Sequence, residues 1–220
     1  MRAIGVSFAC TRLTPTKRIS VPASLLVVCT GNVCRSPVAE HLLRAGVGAL
    51  GGVSVASAGT SALSGRGVEE QFAARLREHG IEPFQHSARQ LTASMVSSAD
   101  LILVSAREHS QSVVPLYPRA NRVIVPLRQA GRIAAEITDV ELSESVTSTT
   151  AEGKIADAIG LLLSLRGVAG RTQDSGEDDI VDPYRAPVFV ADAALDEIGQ
   201  ATRSLGELFQ RAAYFGVAQR

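Results

Sequence analysis

The chain has 220 residues, of which 45% are apolar and 20% are charged, the balance of an ordinary globular protein of one domain. Its 22 basic and 22 acidic residues cancel, and it has three Tyr, six Phe and no Trp, so it lacks the positive field and the stacking side chains of a nucleic-acid binder. No apolar run approaches the ~18 residues of a membrane span, and three cysteines are too few for a disulfide framework, so we expect a cytoplasmic protein with no nucleic-acid or membrane partner.

The first 23 residues differ from the rest of the chain. They contain four basic residues and no acidic one. A positive start is typical of a signal peptide, but polar residues and Pro15 interrupt any apolar stretch here. We therefore predict a flexible basic extension over 1–23, followed by one domain over 24–220.

Strands and helices are predicted to alternate from residue 24 onwards. Short apolar runs predict buried strands at 25–29, 53–57, 101–104 and 122–125. Helical spacing of apolar residues and capping residues predict helices from Ser36 to about 50, over 68–79, from Thr92, over 106–114 and over 188–214. This alternation is typical of an α/β fold with a parallel sheet that helices cover on both faces. Such sheets bind ligands at the carboxyl ends of their strands.

Residues 127–178 interrupt the alternation. The segment is rich in Ser, Thr, Glu and Gly around one amphipathic stretch that contains Ile155, Ile159 and Leu162. We predict an insertion with one helix and mobile flanks. It leads directly into a run of acidic residues before the last helix.

The most informative segment lies between the first predicted strand and the first predicted helix. It reads Cys-Thr-Gly-Asn-Val-Cys-Arg-Ser over residues 29–36, which we call the phosphate loop. A loop that turns back on itself before a helix directs its amide N–H groups inwards, where they bind an oxyanion together with the helix N-terminus. Gly31 and Asn32 permit the backbone conformations that such a turn requires. The expected phosphate-binding residues are Thr30, Gly31, Asn32, Val33, Cys34, Arg35 and Ser36.

Three side chains of the phosphate loop supply its chemistry. A helix N-terminus and a neighbouring arginine favour the thiolate form of a cysteine, so we expect Cys29 to be a nucleophile. Arg35 can bind two oxygens of a phosphate at once, which a lysine cannot. The Ser36 hydroxyl can donate a hydrogen bond to the thiolate. A lone cysteine at a strand end is usually a small buried apolar residue, but these neighbours each meet a requirement of oxyanion binding.

Cleavage of a phosphate ester also needs a proton donor for the leaving oxygen. Four carboxyl groups lie near one another after the predicted insertion, at Glu177, Asp178, Asp179 and Asp182. An Asp-Pro pair alone more often marks a turn or a helix entry. We nevertheless favour Asp182 as the acid, because Pro183 stiffens the backbone beside it just before the last helix.

The phosphate loop and the downstream Asp182-Pro183-Tyr184 together resemble the low-molecular-weight protein tyrosine phosphatases. The stretches 57–60, 86–91 and 99–104 agree with that family, and the likeness is closest to the bacterial branch that opposes tyrosine autokinases in capsule and exopolysaccharide export. The resemblance implies a four-stranded parallel sheet with flavodoxin-like winding. It also implies metal-independent hydrolysis of phosphotyrosine in proteins, without a cofactor. The implied partner is a phosphotyrosine protein, such as a bacterial tyrosine kinase of polysaccharide export.

The same resemblance implies a role for each catalytic residue. Cys29 would attack phosphorus and form a cysteinyl-phosphate, while Arg35 and the loop amides hold the phosphate oxygens. Asp182 would protonate the leaving phenol and then activate water against the intermediate. Tyr184 would line the cleft and favour an aryl substrate.

The resemblance also implies residues that support the loop. Ser57 and His86 would hold Asn32 and so keep the phosphate loop in shape. Two interpretations of Cys34 stay open. It forms a transient disulfide with Cys29 that protects the thiolate from irreversible oxidation, or it is a small buried side chain.

Two other functions compete with a phosphatase. Arsenate is a phosphate-shaped oxyanion, and some arsenate reductases resemble this fold and loop; no cysteine follows Cys34, which leaves only a reductase that uses a low-molecular-weight thiol. The other alternative is a non-catalytic phosphate-binding module. We expect no metal site, since Cys29, Cys34 and His41 lack a fourth ligand at a useful spacing.

Overall fold

The computed structural model describes residues 22–82, 84–168 and 175–216. The predicted basic extension over 1–23 therefore lies outside the described residues except for its last two positions. Ala23 already belongs to the first strand, and the bounds of the extension stay a prediction.

The described residues form one parallel sheet of four strands in the order β2-β1-β3-β4, as predicted. The strands are β1 (Ala23–Cys29), β2 (Val53–Gly59), β3 (Leu101–Val104) and β4 (Ile124–Pro126). Strands β2 and β3 pair with opposite edges of β1. Val28 of β1 lies opposite Val104 of β3. The strand order thus reverses between the carboxyl ends of β1 and β3, which is where sheets of this kind bind ligands.

Eight α-helices are found among the described residues. They are α1 (Arg35–Val47), α2 (Glu70–Glu78), α3 (Ala93–Ser97), α4 (Glu108–Val113), α5 (Leu127–Glu136), α6 (Asp139–Ser145), α7 (Ala151–Leu165) and α8 (Val188–Tyr214). The 3₁₀ segments are Gly48–Leu50, Val114–Leu116, Pro118–Arg122 and Ser175–Asp178. The bounds of β3 and α8 are those predicted from the sequence.

Alternate residues of the central strands enter two separate cores, since successive side chains of a strand point to opposite faces. The larger core contains Leu25 and Val27 of β1 with buried residues of α1, α2 and α5 to α8. The smaller core contains Leu26 and Val28 with buried residues of α3 and α4. Helices therefore cover both faces, and this is why the strands read as continuous apolar runs.

The prediction of a single helix within 127–178 is wrong. The described part of this segment contains α5, α6, α7 and the turn Ser175–Asp178. The sequence does contain a signal for α5, because its buried residues Leu127, Ala130, Ile133 and Ala134 recur at helical spacing. The start of α6 has a signal that the prediction did not use, a capping box between Thr138 and Glu141.

Helix α5 belongs to the core of the domain. A Cβ on Gly131 would lie 2.6 Å from the Cα of Ala201, so α5 and α8 approach as closely as they do only because glycine stands at this position. The side chains of Leu127 and Ile133 are fully buried. Helix α5 is therefore a fixed element against which a neighbouring loop can be held.

Among the described helices, none combines the length and the apolar character needed to cross a bilayer.

Candidate active site

The phosphate loop turns around its own amide groups because neighbouring segments bind its carbonyl oxygens. The amides of Thr60, Ser61 and Leu63 donate to the carbonyls of Cys29, Thr30 and Gly31 at 2.9, 3.0 and 3.0 Å. The Glu69 amide donates to the carbonyl of Val33 at 2.9 Å. The amides of 30–36 donate to no acceptor within the described part of the chain. These N–H groups and the N-terminus of α1 are therefore available to bind an oxyanion.

The end of β2 approaches the phosphate loop so closely that it requires a glycine. A Cβ on Gly59 would lie 2.5 Å from the carbonyl oxygen of Thr30, far inside van der Waals contact. On its other side, Gly59 accepts a hydrogen bond from the Leu91 amide at 2.8 Å and donates one to the Arg89 carbonyl at 2.9 Å. The segment that shapes the phosphate loop is thus itself fixed between two parts of the domain.

Asn32 is the residue that allows the loop to turn. Its φ of 53° lies in the left-handed region, which asparagine tolerates better than most residues. Its buried side chain donates from Nδ2 to the hydroxyls of Ser36 and Ser57, both at 2.9 Å. The expectation that Gly31 also needs unusual backbone freedom is wrong: its φ is not positive, and an added Cβ would meet nothing closer than 3.4 Å.

A chain of hydrogen bonds leads from a carboxylate to the sulfur of Cys29. Because Asn32 donates to the oxygens of both serines, each hydroxyl proton is free for another acceptor. Ser57 Oγ donates to Glu40 Oε2 at 2.6 Å, and Ser36 Oγ lies 3.0 Å from Cys29 Sγ. The arrangement orients the Ser36 hydroxyl to stabilise a thiolate. Sequence reasoning missed Glu40, since one acid on an amphipathic helix carries no motif.

His86 and Arg89 hold the opposite side of Asn32. His86 Nε2 donates to the Asn32 carbonyl at 2.7 Å, and the Arg89 amide donates to Asn32 Oδ1 at 2.9 Å. The Arg89 side chain also donates from Nε to the Ser57 carbonyl at 2.8 Å. The structure therefore brings the predicted support residues Ser57 and His86 to Asn32 and adds Arg89 to them.

A buried histidine that the sequence analysis did not single out lies beside the second residue of the phosphate loop. His109 Nε2 is 3.0 Å from Thr30 Oγ1, and its Nδ1 accepts from the Ala106 amide at 2.9 Å. The same Nδ1 lies 3.1 Å from the Ala106 carbonyl oxygen, so the ring is held between the backbone of residue 106 and Thr30. Burial, reinforced by the charge of Arg35, lowers the pKa of His109, so the ring is neutral at neutral pH.

The two cysteines of the phosphate loop are free and buried. Burial, with the neighbouring Cys29 as the next cause, raises the pKa of the Cys34 thiol. Cys34 therefore holds its proton at neutral pH. Of the two cysteines, Cys29 is the one that receives the hydrogen bond of Ser36.

Asp182 lies at the mouth of the same site, in residues 178–184, which we call the acid loop. Its Oδ2 is 3.0 Å from Arg35 Nη2, and the side chain of Asp182 is 54% exposed while that of Arg35 is 5% exposed. Arg35 Nη1 donates to the Ile180 carbonyl at 3.1 Å. One arginine of the phosphate loop thus contacts both the backbone and the carboxylate of the acid loop.

The other carboxyl groups of this region are engaged elsewhere or face solvent. Asp178 is buried and forms ion pairs with Arg107 and Arg132. Asp179 Oδ1 accepts from the Arg107 amide at 2.7 Å. Glu177 is exposed. Of the four acids that the sequence could not separate, Asp182 is the one that contacts the phosphate loop.

A cavity of about 150 Å³ connects the two loops. Its lining comprises Cys29, Thr30, Gly31, Val33, Cys34, Arg35, Ser61, Leu63, Asp182 and Tyr184. The guanidinium of Arg185 lies 5.1 Å from the centre of the Tyr184 ring, a cation–π contact that holds the ring at the entrance. The cavity therefore has a polar floor, where the sulfur lies, and apolar walls.

The fold and the site together define a class. The protein is an α/β protein with a buried cysteine and an arginine in an amide-lined loop after β1, at the switch point of its parallel sheet. A family model of the low molecular weight phosphotyrosine protein phosphatases matches residues 24–145. The chain belongs to this family.

Curated relatives are similar to part of the chain. The chain is 47% identical over 95 residues to the "Probable low molecular weight protein-tyrosine-phosphatase EpsP" of Ralstonia nicotianae, a match that covers 43% of this chain and 63% of the relative. It is 43% identical over 95 residues to the "Low molecular weight protein-tyrosine-phosphatase Etp" of Escherichia coli K12, covering 43% of this chain and 62% of that protein. The chain thus matches less than two thirds of the length of these relatives.

Solved structures extend the likeness to most of the fold. The YwlE arginine phosphatase from Geobacillus stearothermophilus superposes with a TM-score of 0.59 at 29% identity, over 86% of this chain and 94% of that one. Wzb of Vibrio vulnificus, in complex with benzylphosphonate, superposes with a TM-score of 0.57 at 24% identity. The superposition covers 84% of this chain and 97% of that one. The family match itself extends through α5 and α6, so the proposed insertion over 127–178 includes helices that the family model covers.

Proposed function

We propose that the protein hydrolyses phosphotyrosine in proteins through a cysteinyl-phosphate, without a metal. The observation that carries the proposal is the meeting of Cys29, Arg35 and Asp182 in one cavity. These residues are a nucleophile, a phosphate-binding cation and a candidate acid. Membership of the family and the names of the similar proteins support the same activity.

The first half of the reaction transfers the phosphoryl group to sulfur. The Cys29 thiolate attacks phosphorus, the bond from phosphorus to the phenolic oxygen breaks, and the Asp182 carboxylic acid gives its proton to that oxygen. Arg35 and the amides of 30–36 hold the non-bridging oxygens throughout. The products are a free tyrosine and phosphorylated Cys29.

The second half returns the enzyme to its starting state. Asp182, now a carboxylate, takes a proton from a water molecule as that water attacks phosphorus. The bond from sulfur to phosphorus breaks, inorganic phosphate leaves, and the electron pair returns to Cys29. The Ser36 hydroxyl, 3.0 Å from the sulfur, stabilises the departing thiolate.

The contact between Arg35 and Asp182 has a role in substrate binding. A phosphate dianion offers Arg35 two oxygens in a geometry that the guanidinium matches. Binding of the phosphate therefore competes with the 3.0 Å contact to Asp182. We propose that substrate releases the Asp182 carboxyl group from Arg35 and leaves it beside the leaving oxygen.

The apolar walls of the cavity favour an aryl phosphate. Val33, Leu63 and Tyr184 are apolar or aromatic residues of the cavity lining, and the one carboxyl group that the described residues contribute to that lining is Asp182, the proposed acid. A phenyl ring gains free energy from such contacts, whereas a guanidinium has five N–H groups that need acceptors. The lining thus supports phosphotyrosine over the phosphoarginine that the name of the similar YwlE structure indicates for that enzyme.

We propose a phosphotyrosine protein as the physiological substrate, with a bacterial tyrosine kinase of polysaccharide export as one such protein. The support for the kinase is the resemblance of the loop and of Asp182-Pro183-Tyr184 to the bacterial branch of the family. The names of the curated relatives support a protein-tyrosine phosphatase and go no further.

Turnover by the purified full chain tests the proposal. We expect hydrolysis of p-nitrophenyl phosphate and of a phosphotyrosine peptide in the presence of a chelator and in the absence of any thiol. A peptide of the same sequence with phosphoarginine should be a poor substrate. Reduction of arsenate that depends on a low-molecular-weight thiol, without ester hydrolysis, would favour the reductase; phosphate binding without turnover would favour the non-catalytic module.

A further inference from the structure

The acid loop is held to the rest of the domain by its first residue. The carboxylate of Asp178 is 1% exposed, although aspartate is seldom buried without partners. Its two oxygens accept from different arginines, Oδ2 from Arg107 and Oδ1 from Arg132. Arg107 follows β3, and Arg132 belongs to α5. Asp178 therefore joins the loop to the carboxyl edge of the sheet and to a helix of the core.

The next two residues bind the same part of the sheet. Asp179 Oδ1 accepts from the Arg107 amide at 2.7 Å. The Ile180 amide donates to the Ser105 carbonyl at 2.8 Å, and the Ile180 side chain is buried. Three consecutive residues thus fix the course of the chain two residues before the candidate acid.

Asp182 itself has few contacts that determine its position. Its side chain is half exposed and contacts Arg35 at 3.0 Å and the Tyr184 amide at 3.1 Å. A phosphate that binds Arg35 would remove the first of these contacts. The location of the acid during the reaction then depends on the backbone that precedes it, and a displacement of ~1 Å can cost ~10²-fold in rate.

We propose that Asp178 is a positioning residue for the general acid: its buried ion pairs with Arg107 and Arg132 fix the acid loop so that Asp182 reaches the leaving oxygen. The inference rests on the proposed phosphatase function. It extends that function to a residue that does not line the catalytic cavity. The three arginines Arg35, Arg107 and Arg132 then connect the phosphate loop, the edge of the sheet and α5 through the acid loop.

The Asp178→Asn variant tests this role, because it keeps the shape of the side chain and removes the charge that binds both arginines. We expect kcat for a phosphotyrosine peptide to fall about 10- to 100-fold, while kcat for an ester with an acidic phenol falls much less. The rate should also depend more steeply on the pKa of the leaving phenol, as we expect when Asp182 itself is replaced. A kcat within twofold of wild type on the peptide would overturn the proposal.

A double variant separates positioning from a general loss of structure. If Asp178 acts through Asp182, adding Asp178→Asn to Asp182→Asn should cost less than about twofold, whereas independent effects multiply. Full multiplication of the two losses would contradict the proposal. If Asp182→Asn alone leaves the leaving-group dependence unchanged, the acid assignment fails first, and that result is distinct from a failure of Asp178.

Two further variants guard against misfolding. Arg107→Met keeps a long side chain at a half-exposed position and leaves Arg132 paired with Asp178, so the fold should persist; we expect an intermediate steepening of the leaving-group dependence. Leu162→Ala lowers stability from α7, outside the acid loop, and should leave that dependence as in wild type. The proposal would be overturned if the rate of Arg107→Met depended on leaving-group pKa as weakly as that of wild type. It would also be overturned if Leu162→Ala made this dependence as steep as Arg107→Met does.

Discussion

The phosphate loop and the acid loop meet in one cavity, but they obtain their positions in different ways. The phosphate loop carries its nucleophile, its cation and its amides in eight consecutive residues, and backbone hydrogen bonds from residues 60–69 hold the turn at Asn32 in shape. The acid loop holds Asp182 mainly through a buried ion-pair network with side chains far away in the chain, at Arg107 and Arg132. The phosphate loop thus brings several reacting groups together in one short motif, whereas the acid loop contributes one carboxylate whose position depends on distant side chains.

The phosphate loop should show the largest single effect. Cys29→Ser replaces the thiolate by a hydroxyl that is a poor nucleophile at neutral pH. We expect kcat to fall by more than about 10⁴-fold, while phosphate still binds because the amides and Arg35 remain. Steady-state kinetics with p-nitrophenyl phosphate and phosphate binding by calorimetry measure the two properties. Activity above a tenth of wild type would remove Cys29 as the nucleophile.

The acid loop should show a large effect that depends on the substrate. Asp182→Asn removes the proton donor, so kcat for a phosphotyrosine peptide should fall about 10²- to 10⁴-fold. For esters whose phenols are already acidic the loss should be much smaller, and the rate should become steep in leaving-group pKa. Asp179→Asn is the matched control, since the asparagine side-chain oxygen can still accept from the Arg107 amide and residue 179 lies outside the cavity lining. A steep dependence in the control and a flat one in Asp182→Asn would reverse the assignment.

These two predictions differ in how far the sequence alone supports them. The proposed nucleophile Cys29 and Arg35 both lie in the eight residues of the phosphate loop, so a local motif is enough to find them. The acid could not be chosen from sequence. Only contacts with residues far away in the chain distinguish Asp182 from Glu177, Asp178 and Asp179. The same limit explains the missed roles of Glu40 and His109. Glu40 meets Ser57 of β2, and His109 meets Thr30 of the phosphate loop, only in the folded chain.

The segment 127–178 contains helical signals that its polar composition obscures. The buried residues Leu127, Ala130, Ile133 and Ala134 of α5 recur at helical spacing, but they lie in a segment rich in Ser, Thr, Glu and Gly. By contrast, the strands β1 and β3 are buried on both faces, and their unbroken apolar runs are easily recognised. The bounds of the insertion stay a prediction.

His109 gives a smaller effect that concerns stability. Burial lowers its pKa, so below about pH 6.5 the unfolded chain binds this proton more readily than the folded one, and the free energy of unfolding falls as pH decreases. The contribution is at most about 1.4 kcal/mol per pH unit. Urea unfolding at pH 7.5 and at pH 5.5 tests this. The free energy of unfolding should fall less for His109→Gln than for wild type when the pH is lowered between these values. Equal losses in both proteins would contradict a buried neutral His109.

Cys34 gives the smallest effect on turnover. The buried Cys34 side chain has no role in the proposed reaction, so Cys34→Ala should change kcat by less than about threefold. Peroxide should inactivate both proteins, but only wild type should recover fully with a reductant, if Cys34 traps the oxidised Cys29 as a disulfide. Equal recovery would favour the other interpretation, in which Cys34 is simply a buried side chain.

Capture of the cysteinyl-phosphate is the most direct test of the proposed mechanism. Wild-type protein and the Asp182→Asn variant are mixed with excess p-nitrophenyl phosphate, quenched within milliseconds and measured by mass spectrometry of the intact chain and its peptides. We expect one added phosphoryl group on Cys29. It should be more abundant in Asp182→Asn than in wild type, because Asp182 no longer activates water. Cys29→Ser should carry no phosphoryl group. Turnover without any phosphorylated Cys29, or a phosphoryl group on another residue, would contradict the proposed mechanism.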